Sequence, residues 1–442
     1  MTGTMDAAAG AGAGGAGGPG AGGGSLKQAD RRRVFLGVFA FMTASSVPMS
    51  FFYYVFPPLL RERGHSPEVV GAFALVYLPY VLRGLWAFVL ERVMRGQAGR
   101  YRNATRLLAV LAVLAVLALL PLDPVRHPGA IMGVAFLVFV ILASGMTTLD
   151  GYILATLDLD GRARVAAWGA AGAAAGGVVV GLGAWLGLAG NGWHTVVLVL
   201  AAATLLPSLG IAILPRRPGG AARKDHAAPQ AVQRNDLRGF LADPRLRALI
   251  LLALLAHGSM GLMSGYLPVL QVDAGLKIGE IGLFSAVAAN LMGLAGAMAG
   301  WVIVTRMGGW GALVAVMVFL SAVFAAASLL HGLFWGRGFA IAITAALMLA
   351  GYVYYVPYRA LILQACDGPH AVSRAAILSS LDMTVGILGM SVAGLVAVQL
   401  GLTVFLGVCA AAALLAAGLA LHRAARRGFA DIPTTGKLET SK

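Results

Sequence analysis

The feature that most constrains this chain is a recurrence of long apolar segments along its 442 residues. A bilayer core about 30 Å thick is crossed by a helix of about 20 apolar residues. Lipid offers no hydrogen-bond partners to the backbone, so each segment must satisfy its N–H and C=O groups internally, as an α-helix does. The sequence therefore predicts an all-α membrane protein that crosses the bilayer many times.

Twelve segments meet this length requirement, in two sets of six. They run from Val34 to Leu60, Val69 to Leu90, Thr105 to Leu122, Ile131 to Leu157, Val165 to Leu188 and Thr195 to Leu214, and then from Leu246 to Leu270, Ile281 to Thr305, Gly309 to Leu330, Phe339 to Gln364, Arg374 to Gln399 and Leu402 to Leu421. A duplicated six-helix unit is indicated by residues that recur at a nearly constant displacement: Pro58, Gly64 and Gly71 return as Pro268, Gly275 and Gly282.

Loop composition divides the chain into five regions. We expect a disordered Gly/Ala-rich tail over 1–30, a six-helix half over 31–214, a polar linker over 215–245, a second half over 246–424 and a tail over 425–442. Lys and Arg concentrate before the first helix, after the second and in the central linker. Because cytoplasmic loops carry this excess, both termini are predicted to be cytoplasmic.

Composition excludes several classes of function. Hydrophobic residues make up 59% of the chain and charged residues 12%, whereas a soluble domain has about 25% charged residues. The net charge of +15 lies mainly in loops between apolar segments, which argues against a nucleic-acid partner. Cys366 and Cys409 are the only cysteines, so neither a disulfide framework nor a metal centre is expected. We predict no cofactor and no enzymatic activity, and a monomer in the lipid bilayer.

Five ionisable residues fall inside predicted membrane helices: Arg83, Asp150, His257, Arg359 and Asp382. Each costs about 2.5 to 3.5 kcal/mol to insert, so each calls for a partner or a function. Four of them lie at similar depth from the cytoplasmic ends. We therefore predict two ion pairs, Arg83 with Asp150 and Arg359 with Asp382, one in each half.

These pairs admit a functional and a structural interpretation. Asp150 is the preferred proton carrier, because burial favours the neutral acid and a nearby arginine favours the carboxylate. Movement between the two environments could then load and release a proton. His257 is a second candidate. The structural alternative is that the pairs only neutralise charge in a dry helix bundle.

Tyrosines cluster on the helices expected to line a central cavity. The candidates are Tyr53, Tyr54, Tyr80, Tyr152, Tyr266, Tyr354 and Tyr355. Such a lining suits a sizeable amphipathic solute, although an aromatic belt at the membrane interface is the alternative. Glycines four residues apart, namely Gly172 with Gly176, Gly183 with Gly187 and Gly296 with Gly300, predict close helix contacts, which we assign to the surfaces where the halves meet.

Helix 2 and the loop after it carry a more specific signal. Residues 78–87 read LPYVLRGLWA, followed by Glu91 and Arg92 and then by Gly99, Arg100 and Arg102. This stretch resembles a branch of the major facilitator superfamily that contains muropeptide permeases, acetyl-CoA transporters and single-unit siderophore transporters typified by the rhizobactin and pyochelin importers. Within that branch, residues 53–86 look most like the siderophore transporters.

The resemblance implies the major facilitator fold, with two pseudo-symmetric six-helix halves and a cytoplasmic gate motif formed by Glu91, Arg92, Gly99, Arg100 and Arg102. It also implies transport of a siderophore across a bacterial inner membrane, by import of the ferric complex coupled to protons. Two departures from the pattern matter. Phe88 replaces a usual proline, and Met146 replaces the first of two acids in helix 4, which argues against a muropeptide permease. Export of a siderophore and transport of another amphipathic solute stay open.

Overall fold

Twelve helices form the described part of the chain, in a computed structural model that describes residues 28–56, 59–60, 73–187, 192–215, 243–276, 284–366 and 370–427. Most of the predicted N-terminal tail, linker and C-terminal tail, and the residues Pro58, Gly64, Gly71 and Gly282, lie outside these ranges. Residues 28–30 and 425–427, predicted to belong to the tails, are helical.

The first half contains six helices. They are α1 (Gln28–Ser50, continued by a π turn at Phe51–Val55), α2 (Leu78–Met94, preceded by a 3-10 turn at Phe73–Tyr77), α3 (Ala98–Leu117), α4 (Pro128–Thr156), α5 (Leu159–Gly187) and α6 (Trp193–Leu209, continued by a 3-10 turn at Gly210–Ile213). The π turn of α1 follows Pro48, which has no N–H to donate to the preceding turn.

The second half repeats this arrangement. Its helices are α7 (Pro244–Asp273), α8 (residues 289–307, preceded by a π turn at Phe284–Ala288), α9 (residues 309–334), α10 (Arg337–Ala365), α11 (Ala371–Leu400) and α12 (Leu402–Arg427). A bend at Gly308, whose φ is +73°, separates α8 from α9 where the sequence predicted a break. Only glycine adopts this φ without strain.

Nine helical stretches of the described residues are long and apolar enough to span a membrane, and one of them contains both α8 and α9. Two further helices, α2 and α3, complete the twelve. They fall outside the nine because α2 has only 17 residues and α3 carries three arginines.

α3 begins at Ala98, seven residues before the predicted start at Thr105. The reason is Tyr101, which is buried and covers Gly151 of α4, so the charged first turn is held in helical form.

Close helix contacts differ from the sequence prediction. Gly172 and Gly176 of α5 face the backbone of α1, and Gly296 and Gly300 of α8 face α10. These contacts lie within one half, so the assignment of those glycines to the interface between halves was wrong. The spacing permitted close approach but did not identify the partner helix.

The halves meet along other surfaces. α2 packs against α11, and α5 packs against α8 and α10. A cluster of small side chains fills the second contact; it comprises Ala163, Ala166 and Ala170 of α5 with Ala297, Val304, Ala312, Val356 and Ala360 of the second half. Exposed leucines and valines, such as Leu85, Leu329 and Val398, cover the outer surface, as expected where lipid is the solvent.

α7 and α11 approach so closely that the space left for a side chain can be tested. A Cβ at Gly261 would lie 2.6 Å from the backbone oxygen of Gly386, whereas a Cβ at Gly394 would meet nothing within 4 Å. Gly261→Ala should therefore lower the thermal unfolding midpoint in detergent, at a cost of about 1–3 kcal/mol. Gly394→Ala should leave the midpoint unchanged or raise it, because alanine favours helix. Equal midpoints for the two variants would contradict the close packing.

Candidate functional site

The centre of the site is an ion pair that crosses from one half to the other. Arg359 of α10 donates through Nη2 to Oδ1 of Asp150 in α4, and their side chains are 8% and 2% exposed. Each residue lies six positions before the end of its helix, at Thr156 and Ala365. The two halves therefore present equivalent positions to each other, one with an anion and one with a cation. Nη1 of Arg359 also donates to Ser379 of α11, over 3.0 Å.

This pairing corrects the sequence prediction. We expected Arg83 with Asp150 and Arg359 with Asp382, each pair inside one half. Instead, Asp150 is bound by Arg359, and Oδ1 of Asp382 lies 2.5 Å from Nδ1 of His257. Depth in the membrane indicated which residues share a layer, but not which helices face one another across it.

Arg83 of α2 lies beside the central pair. Its side chain is 5% exposed, and Asp150, Arg359, Tyr80 and Tyr355 are within electrostatic reach. Its Nη1 atom has no hydrogen-bond partner among the residues that the structure describes. The group formed by Arg83, Arg359 and Asp150 thus has two positive charges and one negative charge.

His257 and Asp382 form a second cluster inside the C-terminal half. Their side chains are 28% and 18% exposed, more than those of the central pair. Tyr354 meets the His257 ring edge to face, with 5.2 Å between centroids, and stacks on Tyr358 at 5.1 Å. The Tyr358 hydroxyl donates to the carbonyl oxygen of Leu249, over 3.4 Å. Tyr358 was not selected from the sequence, although its spacing of four from Tyr354 puts the two on one helix face.

The other tyrosines divide into two groups. Tyr53 is partly exposed, and its hydroxyl lies 4.0 Å from the sulfur of Met390 in the other half. Tyr80 packs on Phe139, and Tyr355 lies near Arg83 and the central pair. These three remain candidates for a cavity lining. The side chain of Tyr54 lies outside the described part of the molecule.

Two predicted cavity residues lie elsewhere. Tyr152 is fully buried and its hydroxyl donates to the carbonyl of Pro215 over 3.3 Å, so it packs inside the first half. Tyr266 packs on Phe405 of α12, with 5.2 Å between ring centroids. Both belong to helices that were expected at the centre, but these side chains contact neighbours in the same half.

Glu91 of the predicted gate motif makes contacts between the halves. The Glu91 carboxylate accepts from the backbone N–H groups of Val372 and Ser373, over 3.2 and 3.1 Å, and from the Ser373 hydroxyl. These N–H groups open α11, where the helix dipole favours an anion. Of the other motif residues, Arg92 is exposed, Gly99 borders open space, Arg100 donates to Val93, and Arg102 is buried and donates to Asn103.

Arg162, at the start of α5, is a contact that sequence reasoning missed. It is 2% exposed and donates to three main-chain carbonyls: Leu154 and Leu157 at the end of α4, and Leu363 at the end of α10. Helix C-termini carry unsatisfied carbonyls and partial negative charge, which a guanidinium satisfies. Arg162 thus joins the halves at the cytoplasmic side, as Glu91 does.

Comparisons with known proteins agree with this architecture. A family model described as the Major Facilitator Superfamily matches residues 34–375. A stretch of 108 residues is 31% identical to an uncharacterized protein of Haemophilus influenzae, but it covers 24% of this chain and 25% of that protein. The chain therefore spans about a quarter of the length of the curated relative it matches.

Solved structures extend the likeness over most of the chain. The E. coli fucose:proton symporter FucP superposes with a TM-score of 0.69 at 15% identity, over 89% of this chain and 98% of that one. An outward-facing bacterial homologue of the iron transporter ferroportin, with soaked iron, gives 0.64 at 16% identity, over 89% and 98%. The human organic anion transporter MFSD10 gives 0.63 at 15%, over 88% and 99%. At such identities the likeness is one of fold.

Closure of the cytoplasmic side by Glu91 can be tested with a native thiol. Cys366, at the end of α10, is fully buried. Glu91→Gln removes the charge that holds the start of α11, so we expect maleimide to label Cys366 several-fold faster than in the parent. The parent and both variants would carry Cys409→Ala, which leaves one thiol. Arg92→Gln changes an exposed neighbour, so Cys366 should be labelled at the parental rate in this variant. Equal labelling rates in all three proteins would contradict a role for Glu91 in closing this side.

Proposed function

The chain belongs to the major facilitator superfamily, and from that premise we propose that it carries a siderophore across a bacterial inner membrane, importing the ferric complex by proton-coupled alternating access. The family and the fold identify a multi-pass membrane transporter. The solute, the direction and the coupling ion are our inference. The observation that carries the mechanism is the ion pair between Arg359 and Asp150.

Alternating access requires this ion pair to break. Asp150 belongs to the first half and Arg359 to the second, so a movement that opens the cytoplasmic side separates them. A buried carboxylate that loses its cation costs several kcal/mol unless it takes up a proton or finds another cation. Protonation of Asp150 therefore lowers the cost of opening, which couples the proton to the conformational change.

His257 and Asp382 have a different place in this scheme. Both lie in the second half, on α7 and α11, so their contact persists while the halves move. Their side chains are more exposed than the central pair, which suits a group that exchanges protons with water. We assign them a supporting role in proton transfer and Asp150 the coupling role.

The siderophore assignment rests on the resemblance of residues 53–86 and on the aromatic surroundings of the centre. Tyr53, Tyr80 and Tyr355 offer rings and phenol hydroxyls to an amphipathic solute. The fold alone does not select the solute, because proteins of this fold include a fucose symporter, an iron transporter homologue and an organic anion transporter. Export of the iron-free siderophore is the first alternative, and transport of a muropeptide or another amphipathic solute is the second.

The substrate is tested by uptake of radiolabelled iron in iron-starved cells that contain or lack this protein. Iron is supplied as a panel of phenolate, hydroxamate and carboxylate siderophores. We expect loss of uptake for one of these classes in cells that lack the protein. Unchanged uptake together with siderophore accumulation inside the cells would indicate export instead. No change in either quantity would contradict the siderophore assignment.

The coupling role of Asp150 is tested with Asp150→Asn. This variant cannot exchange a proton at that position, so we expect it to lose accumulation against a gradient and the pH dependence of uptake. The matched control is Asp123→Asn in an exposed loop. Hydrogen bonds from the Val125 and Arg126 N–H groups lower the pKa of Asp123, which therefore stays ionised near neutral pH and should not affect the profile. Accumulation by Asp150→Asn with the parental pH dependence would contradict the carrier role.

A further inference from the structure

Among the described residues, Arg83 is a buried cation without an ion pair of its own. Asp150, the carboxylate within its electrostatic reach, accepts from Arg359 through Oδ1, and neither Oδ2 of Asp150 nor Nη1 of Arg83 has a hydrogen-bond partner in this part of the chain. Asp382, the other acid of this layer, lies against His257. The arrangement therefore keeps one guanidinium available at the meeting point of the halves.

A buried cation without an ion pair of its own is costly, because it has lost its hydration and shares one counter-charge with another cation. If Arg83 served only to hold the fold, a partner within the bundle would be expected. The helices around it supply one carboxylate, Asp150, a second cation, Arg359, and two phenols. With Arg83 itself, the charges of this group sum to one positive. Such a place is complementary to an anion that comes from outside the chain.

We propose that Arg83 binds an anionic group of the transported solute, a carboxylate or a comparable planar anion. The guanidinium offers two parallel N–H donors, which match the two oxygens of a carboxylate. Tyr80 lies on the same helix as Arg83, whereas Tyr355 belongs to α10 of the other half. An anion at Arg83 would thus lie against both halves. This inference rests on one part of the proposed function, namely that the protein transports a solute past Arg83.

The proposal also gives a route to release. When the halves separate at the cytoplasmic side, Asp150 loses Arg359 but stays in the same half as Arg83. Once Asp150 has released its proton on that side, its carboxylate can bind Arg83 and displace the bound anion. Asp150 and the solute thereby compete for one guanidinium, and the outcome depends on which side of the protein is closed.

The test uses two probes of nearly equal shape, benzoate and benzamide, which differ in charge. The purified full chain in lipid nanodiscs is titrated with each, and the thermal unfolding midpoint is followed. For the parent protein we expect benzoate to bind about tenfold more tightly than benzamide or better, the size of one charge-assisted contact. Arg83→Gln should bring the ratio close to one, and Arg126→Gln, in an exposed loop, should keep the parental ratio.

A second measurement needs no probe. Arg83→Met removes an unpaired charge and should raise the unfolding midpoint of the ligand-free protein, whereas Arg359→Met leaves Asp150 unpaired and should lower it. A lower midpoint for both variants would assign Arg83 a structural role and overturn the proposal. So would equal binding of the two probes to the parent, no binding of either, or a benzoate preference that persists in Arg83→Gln. Failure of siderophore uptake with the benzoate preference intact would overturn only the identity of the solute.

Discussion

The arrangement of the two halves depends on a salt bridge inside an apolar helix bundle. Arg359 and Asp150 have both left water, so each is stable only while the other is present. Because they lie on opposite halves, their attraction also fixes how the halves are arranged at the cytoplasmic side. The conformation seen here, with Glu91 and Arg162 joining the same side, is the one in which this pair is satisfied.

Close backbone contacts lie both inside the halves and between them. Within a half, glycine contacts such as Gly261 to Gly386 bring helix backbones together and tie α7 to α11. Between the halves, α5 contributes alanines to its contact with α8 and α10, and Asn290 of α8 lies against Gly177 of α5. Rigid-body rocking would keep the contacts inside each half and change only those between the halves.

The sequence predicted much of this from hydrophobicity and charge alone. The twelve helices, the division into halves and the buried residues Arg83, Asp150 and Arg359 all follow from the cost of polar groups in lipid. Partner choice did not follow, because the depth of a residue says nothing about the direction of its side chain. Tyr152 and Tyr266 illustrate this limit, since each lies on a central helix but faces its own half. Arg162 was not predicted from the sequence, because main-chain carbonyls are present at every residue and therefore do not mark a partner.

The carbonyl partners of Arg162 have a consequence for how the two halves can come apart. Leu154 and Leu157 lie at the end of α4, in the same half as Arg162, whereas Leu363 lies at the end of α10 in the other half. A movement that separates the halves at this side would break the bond to Leu363 and keep the two bonds within the half. The guanidinium would therefore stay hydrogen-bonded to main-chain carbonyls in both arrangements.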